Sequence, residues 1–322
     1  MKLRTILSVL ALLALLSTSI GGFLYYHSLK ESAFKEADRQ AAYRARRIRN
    51  RVFWTLSENQ KAVKALAGLM ELQKALGQQD RRSLARANTE LDRFRAALDA
   101  SVCYLMDRKG NTIASSNRNA PDSFVGKNYG FRPYFQQAIQ GTPAVYMALG
   151  VTSKKRGVYY SHPVYGAGAE TVIGVVIIKS SVNSMEQEFG HHREGIALLT
   201  DANGVIFASS RKDWLYYVLW KVSPETASEI ATTRQFGNGP WEWTGLKMED
   251  ENRAVDESGN EYLIYRVNIA NYPGWYVTYL ISQQTIHKLI FDPLVETSGA
   301  IILILCILIG SSVFLLLSLI HI

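Results

Sequence analysis

The sequence predicts an α+β architecture: two related modules carried on a long N-terminal helix and flanked by two transmembrane helices. Three observations predict it. Apolar runs of membrane-spanning length stand near both ends, Ile6 to Tyr26 and Ile301 to Ile320. A proline-free stretch rich in Ala, Leu, Glu, Lys and Arg follows the first run. A strand–turn–strand phrase built on D-x-x-G then occurs twice, about 95 residues apart.

The first run follows Lys2 and Arg4 and is interrupted only by small or hydroxyl residues. It is longer than the ~7–15 apolar residues of a cleaved signal peptide and ends in Phe23, Tyr25 and Tyr26, so it reads as an uncleaved anchor. The short basic N-terminus sends the following segment out of the cytoplasm. Residues 1–27 are therefore the first transmembrane helix, and about 28–298 the extracytoplasmic part of a two-pass membrane protein.

Ser28 to about Leu76 reads as one helix. Val63, Leu66 and Met70 recur at helical spacing, Leu69, Leu72 and Leu76 form an adjoining row, and Ile48, Val52 and Leu56 extend the seam. Packing on its own domain and a parallel homodimer stalk both account for such a seam. After a turn at Gly77–Asp80, Arg82–Leu98 is a second amphipathic helix, completing a helical region over 28–100.

The period then changes. Ser101–Met106, the turn DRKG (Asp107–Gly110) and Asn111–Ser116 form a hairpin that opens a module over 101–190. Ile196–Thr200, DANG (Asp201–Gly204) and Val205–Ser210 repeat it and open a second module over 191–284. Its closing strands are Tyr262–Val267 and Trp275–Ile281, with a turn at Asn271–Gly274, and Trp214, Trp220, Trp241 and Trp243 are read as core and lid packing. A helical linker over 285–298 leads to the second transmembrane helix, 299–322, whose Ile301–Ile320 run contains no charge. The sequence reads as a piece of a longer protein, because a receptor that crosses back needs a cytoplasmic part to signal with.

The formal net charge of +8 concentrates in YRARRIRNRV (Tyr43–Val52), on a helix near the membrane. That placement fits a solvated or lipid-facing helix surface and argues against nucleic acid. Cys103 lies in the soluble part and Cys306 in a membrane run, which excludes an intrachain disulfide and a thiolate metal cluster. His191–His192 with Glu188 and Glu194 is a poor metal site, since adjacent histidines point apart. No nucleophile–base, phosphate-loop or zinc signature stands in the chain, and neither a cofactor nor a catalytic residue is expected in it.

The informative stretch is Phe124 to Ser181. Arg132 sits in an aromatic run with Tyr129, Phe131, Tyr134 and Phe135, and Lys179 closes a run of Val and Ile. Isolated cations on apolar elements are costly to bury unless an anion pairs with them, and a guanidinium fork fits a carboxylate. Arg132 precedes Pro133 and so stands extended, at a helix entry. Along Val158–Val164 the alternation groups Tyr159 with Ser161 on one face and Tyr160 with His162 on the other. Tyr159 and Ser161 are the expected hydroxyl donors, with Tyr160 replacing them if the strand is bulged. Thr152 and Ser153 lie in the loop Val151–Gly157, whose backbone N–H groups suit an anion. Lys154, Lys155 and Arg156 are read there as exposed charges that steer anions inward.

The order of anchor, long helix, D-x-x-G hairpin, FVGKNYGFRPYFQQAIQG, GVYYSHPV, GVVIIK and second hairpin resembles the double-Cache (PDC-type) sensor domain. Within it the chain is most similar to DctB-type C4-dicarboxylate sensor histidine kinases. The resemblance covers roughly Ser28 to Ser282 plus both membrane helices, and FRPYF and YYSHPV are its more specific phrases. It implies two PAS-like modules, of which the first binds succinate, fumarate or malate through Arg132, Thr152, Tyr159, Ser161 and Lys179. Tyr129, Tyr134, Ser153 and Tyr160 are secondary candidates. Amino-acid-binding members carry an acidic residue for the ligand amine after an R-x-W-Y phrase. Here Tyr134 replaces the Trp and no acidic residue stands near Tyr159, which favours a dicarboxylate. The resemblance further implies that the chain forms a homodimer, and that a cytoplasmic kinase part, outside this chain, uses ATP and Mg and has a response regulator as its partner. A chemoreceptor, a cyclic-dinucleotide enzyme and a ligand-free membrane-anchored interaction module are the alternative outputs.

Overall fold

The computed structural model describes residues 2–168, 170–190 and 194–319. They belong to two compact units: a larger one of Ala45–Lys247 and Arg266–Tyr279, and a smaller one of Met1–Arg44, Met248–Tyr265 and Leu280–Ile322. The first helix, α1, runs without interruption from Lys2 to Ala67, so the anchor and the long helix are one element. Its Ile48, Val52, Leu56, Val63 and Leu66 are buried, the seam expected from their spacing.

The seam does not continue straight to Leu76. Gly68 and Leu69 break the helix, and α2 (Met70–Gln78) restarts from a Leu69 whose backbone is extended. Glycine weakens a helix interior, and the new start resets the register. Met70 is thereby exposed, whereas Leu72 and Leu76 are buried. Helix α3 (Arg81–Ala97) starts at Asp80, whose carboxylate accepts the Ser83 N–H at 2.7 Å as an N-cap.

The first module is a five-stranded antiparallel sheet in the order β2-β1-β5-β4-β3. Its strands are β1 (Val102–Asp107), β2 (Thr112–Ser115), β3 (Ala144–Leu149), β4 (Arg156–Tyr165) and β5 (Val172–Ser180). Helices α2 and α3 cover one face, and the short α4 (Pro133–Ile139) covers the other. Burial on both faces explains the continuous apolar run of β5. Gly174 marks the closest approach on the α2 side. A Cβ there would lie 2.5 Å from Leu76 Cδ2 and 2.5 Å from the Met106 carbonyl oxygen.

After α5 (Asn183–Gly190) comes a six-stranded sheet in the order β7-β6-β11-β10-β9-β8. It comprises β6 (Ile196–Thr200), β7 (Ile206–Ser209), β8 (Lys247–Met248), β9 (Arg253–Val255), β10 (Glu261–Asn268) and β11 (Tyr276–Ser282), with α6 (Pro224–Thr233) between β7 and β8. The short β8 and β9 carry no alternation from which the sequence would predict them. Helix α7 (Gln283–Ile286) and a π-helical turn lead into α8 (Asp292–Leu319). Among the described residues, helices α1 and α8 are the two long and apolar enough to cross a membrane, with Leu12, Leu16 and Ile20 of the first and Ile301, Ile304 and Leu308 of the second exposed.

The two hairpins are structural copies. Ser116 Oγ accepts the Cys103 N–H at 2.9 Å, and Ser210 Oγ accepts that of Ala197 at 3.0 Å. Asp107 and Asp201 each accept the backbone N–H four residues on. Gly110 and Gly204 both sit at φ 84°, where L-residues are strained. Both pairs shift register at the same point, between Leu105 and Met106 and between Leu199 and Thr200.

Gly174→Ala is expected to destabilise the protein by about 1–3 kcal/mol, because one of the clashing atoms is backbone and cannot swing away. Urea unfolding read by circular dichroism checks it, and a midpoint at the wild-type value would contradict the packing described.

Candidate functional site

The α4 side of the first sheet carries the site. Register places Tyr146 of β3, Tyr159 of β4, Lys179 of β5 and Val102 of β1 in one row across the sheet. The next row holds Ala144, Ser161, Ile177 and Tyr104. Arg132 faces these rows from the N-terminus of α4. It is extended at φ −75°, ψ 135° before Pro133, as its position requires. Its backbone N–H donates to the Tyr129 carbonyl at 3.0 Å, and its own carbonyl accepts the Phe135 and Gln136 N–H groups.

A cavity opens between them, lined by Tyr104, Phe124, Tyr129, Arg132, Tyr134, Gly150, Val151, Thr152 and Tyr159. The cavity is nearly closed, with a volume of about 10 Å³, the threshold for a single water, so a guest must part its walls to enter. No Asp or Glu is among the lining residues.

Both singled-out cations are buried, each 2% exposed. Arg132 donates from Nη2 to the Leu149 carbonyl at 3.0 Å, while its buried Nη1 has no protein acceptor. Lys179 donates to Ser153 Oγ at 2.6 Å and to the Lys155 carbonyl at 3.2 Å, and its ammonium lies 5.3 Å from the Tyr159 ring centre. Among the described residues neither forms an ion pair with a carboxylate. Burial pulls the Lys179 pKa down to about 8; Asp122 opposes the shift, and the charges of Lys155 and Arg132 add to it. Burial likewise pushes up the phenols of Tyr159, Tyr134, Tyr146 and Tyr129, although Arg132 counteracts the rise at each. All four remain neutral donors at physiological pH.

The other sequence-predicted residues divide by placement. Thr152 and Tyr129 both line the cavity and share a hydroxyl–hydroxyl bond of 2.8 Å. Tyr134 stacks on Tyr159 at 5.1 Å and bonds the Tyr104 hydroxyl at 2.8 Å. Ser153 holds the Lys179 ammonium rather than lining the cavity. Ser161 shares the face of Tyr159, but its hydroxyl donates to the Tyr134 carbonyl at 2.9 Å and joins β4 to α4. Tyr160 lies on the opposite face; β4 is bulged only at Val164/Tyr165, too far along to turn it round. His162 is half-buried on that face, its Nδ1 2.9 Å from the Pro163 carbonyl oxygen. His191 and His192 lie outside the described residues.

One reading needs correction. Arg156 is not an exposed loop cation. It begins β4 and makes a buried ion pair with Glu186 at 2.7 Å. The sequence reading also passed over Gly150 and Gly157, at either end of the loop. A Cβ on Gly150 would stand 2.5 Å from Ser153 Oγ and 2.9 Å from both Lys179 Nζ and the Tyr159 hydroxyl. A Cβ on Gly157 would stand 2.6 Å from Lys179 Cε. The glycines leave room for the lysine, a signal present in the spacing of LGVTSKKRG. Tyr104 and Tyr146 were missed too, since an aromatic on a buried strand looks like core. The buried Tyr146 hydroxyl makes no hydrogen bond of good geometry, although the nearby Arg132 guanidinium pulls its phenol down against the effect of burial.

The profile described as a Cache domain, of the dCache type, matches residues 25–290. The chain belongs to the double-Cache family. It is 33% identical over 184 residues to the C4-dicarboxylate transport sensor protein DctB of Rhizobium meliloti and 36% identical over 177 residues to that of Pseudomonas aeruginosa. Those stretches cover 57% and 55% of this chain but only 29% and 28% of the relatives' own length. Among solved structures, the sensor domain of the Vibrio cholerae histidine kinase DctB superposes with a TM-score of 0.73 at 27% identity, covering 78% of this chain and 98% of that one. The sensory domain of the Campylobacter jejuni chemoreceptor Tlp3 shares the fold, with a TM-score of 0.57 at 18% identity over 80% of this chain and 98% of that one. This chain thus carries an extracytoplasmic Cache sensor domain set between two inner-membrane helices.

The lysine has a measurable cost. A lysine with a lowered folded-state pKa weakens the fold while both states are protonated, so the penalty is full below pH 8. It fades between about pH 8 and the usual 10.5. Lys179→Met is therefore expected to stabilise the ligand-free protein at pH 7 by up to about 3 kcal/mol. The gain shrinks steadily toward pH 10.5. Urea unfolding at pH 7 and pH 9.5 checks both the sign and the trend.

Proposed function

We propose that the first module binds a C4-dicarboxylate of the succinate, fumarate or malate class, and that this occupancy is the signal. The observation that carries the reading is the pair of buried cations without carboxylate partners beside one small cavity. A dianion supplies a carboxylate to each cation and relieves both desolvation costs and their mutual repulsion. Arg132 offers its free Nη1 to one carboxylate, and the Lys179 ammonium faces the other. Tyr159, Thr152 and loop N–H groups complete the cradle, while Ser161 supports it by fixing α4 to β4. Tyr129, Tyr134 and Ser153 hold these groups in place, and Tyr160 acts only in the packing behind the sheet.

The names of the matched DctB proteins support this class of ligand. Tlp3 has been solved with L-valine and isoleucine, and CtaA of Pseudomonas fluorescens with L-serine and L-leucine, in structures of the same fold. An amino acid brings an ammonium as well as a carboxylate. The cavity lining here offers one cation, Arg132, and neutral hydroxyls, with Lys179 next to Gly150 and Tyr159 outside it, and no carboxylate to receive an ammonium. We assign the output to a cytoplasmic histidine kinase that passes phosphate to a response regulator, with two copies of the chain pairing along α1. Ligand shifts the output only by binding one conformation better than another.

Arg132→Ala is expected to abolish succinate binding by calorimetry on the 30–284 fragment. Unchanged affinity would sink the dicarboxylate reading, and heat from neutral amino acids with none from succinate would replace it. Wild-type affinity is expected to be flat from the pH at which succinate is fully ionised up to pH 8. Above it, succinate must take up a proton at Lys179 on binding, so affinity falls by up to tenfold per pH unit until the pKa of the complex is passed. Calorimetry in buffers of differing ionisation enthalpy reads that proton directly.

A further inference from the structure

The loop Gly150–Lys155 closes on itself, with the Gly150 N–H donating to the Lys155 carbonyl at 3.0 Å and the Lys154 N–H to the Gly150 carbonyl at 2.9 Å. It springs from one cross-strand pair, Leu149 opposite Arg156. Both members of that pair are bonded to the second module. The Leu149 N–H donates to the Gln235 carbonyl at 2.8 Å, and the Gln235 side-chain amide donates to the Met147 carbonyl at 2.7 Å. Gln235 thus fills two hydrogen-bonding slots on the free edge of β3.

Arg156 Nη1 donates to the Phe207 carbonyl and to Glu186, each at 2.7 Å, and Nη2 reaches the other Glu186 oxygen at 3.2 Å. Glu186 also accepts from Lys212 and from the Ser209 N–H. Burial pushes the Glu186 carboxyl up, but Arg156 and Lys212 outweigh it and hold it below the usual range. The two anchors meet behind the loop. Phe207 and Phe236, the neighbour of Gln235, lie 6.1 Å apart, and both rings pack on Trp275.

The loop side is just as short a path. The Leu149 carbonyl accepts from Arg132, and the carbonyl of Lys155, next to Arg156, accepts from Lys179. Each cation therefore stands one hydrogen bond from one arm of the stem, and each arm is tied to the same aromatic cluster of the second module. We infer that Arg156 and Gln235 are positioning residues that fix the stem of the ligand loop, and that through them the second module reads the state of that loop. The identity of the ligand rests on the function proposed above; the coupling of loop to second module does not.

Tryptophan placement provides the readout. None lies between residues 101 and 190, five lie beyond it at 214, 220, 241, 243 and 275, and Trp54 is on α1. In a Trp54→Phe background of the full chain in detergent, emission reports the second module alone. The loop is then disturbed in two ways, by succinate and, without ligand, by Gly150→Ala. Lys179→Met stands in if the alanine variant does not fold. Each disturbance is expected to change tryptophan emission and to alter amide exchange at 205–209 and 234–236. Adding Arg156→Met, or Gln235→Ala if the former does not fold, is expected to cut those responses at least fourfold, with Arg156→Lys restoring part of them. A purely structural Arg156 would lower stability and leave the responses intact. Exchange in the second module unmoved by the loop substitution, or moved equally without Arg156, overturns the proposal. Absence of succinate heat sinks the ligand reading alone, because the ligand-free arm still decides the coupling; succinate heat without an emission change sinks the coupling.

Discussion

Two positive charges are held in the first module where water barely reaches them and where, among the described residues, no carboxylate pairs with them. Burying an ammonium and a guanidinium in one module opposes folding through desolvation and through their mutual repulsion. The surrounding architecture limits that cost by hydrogen bonding. The Leu149 carbonyl takes one arm of Arg132, and Ser153 with the Lys155 carbonyl takes Lys179. Gly150 and Gly157 vacate the volume the lysine occupies, and Pro133 sets the backbone that aims the guanidinium. Loop, helix start and strand row are thus arranged around a pair of charges that the protein alone does not neutralise.

The second module began from the same hairpin and resolves its cation differently. Arg266 lies 3.5 Å from the Tyr276 ring centre and 4.9 Å from that of Trp220, its charge met by aromatic faces. A cation satisfied in this way calls for no anionic guest. The two modules thus treat their cations differently, buried without a carboxylate partner in the first and exposed against aromatic faces in the second.

Much of this was legible before coordinates, and the remainder failed for identifiable reasons. The repeated D-x-x-G phrase located both hairpins because its turn chemistry is local: the Asp accepts N–H groups within four residues and the Gly supplies a positive φ. Arg132 and Lys179 stood out because charge among apolar residues needs an explanation. Parity put Ser161 on the correct face, but its hydroxyl turns to a carbonyl 27 residues away, a relation fixed only once α4 docks. Arg156 looked exposed beside Lys154 and Lys155. Its partners, Glu186 and the Phe207 carbonyl, lie 30 and 51 residues on and leave no mark in local composition. The break at Gly68 was overlooked because one glycine in a long run of helix formers is weak punctuation, and the misplacement of Met70 followed from it.

Helix α1 has one further property. From Phe23 to Ala67 it contains neither glycine nor proline, and its backbone ladder has no interruption from the lipid-facing turns to the buried Leu66. A rod of this kind stores little elastic strain along its axis and has no joint at which to dissipate a push. Along that length, glycine and proline, common causes of a sharp helix kink, are both missing.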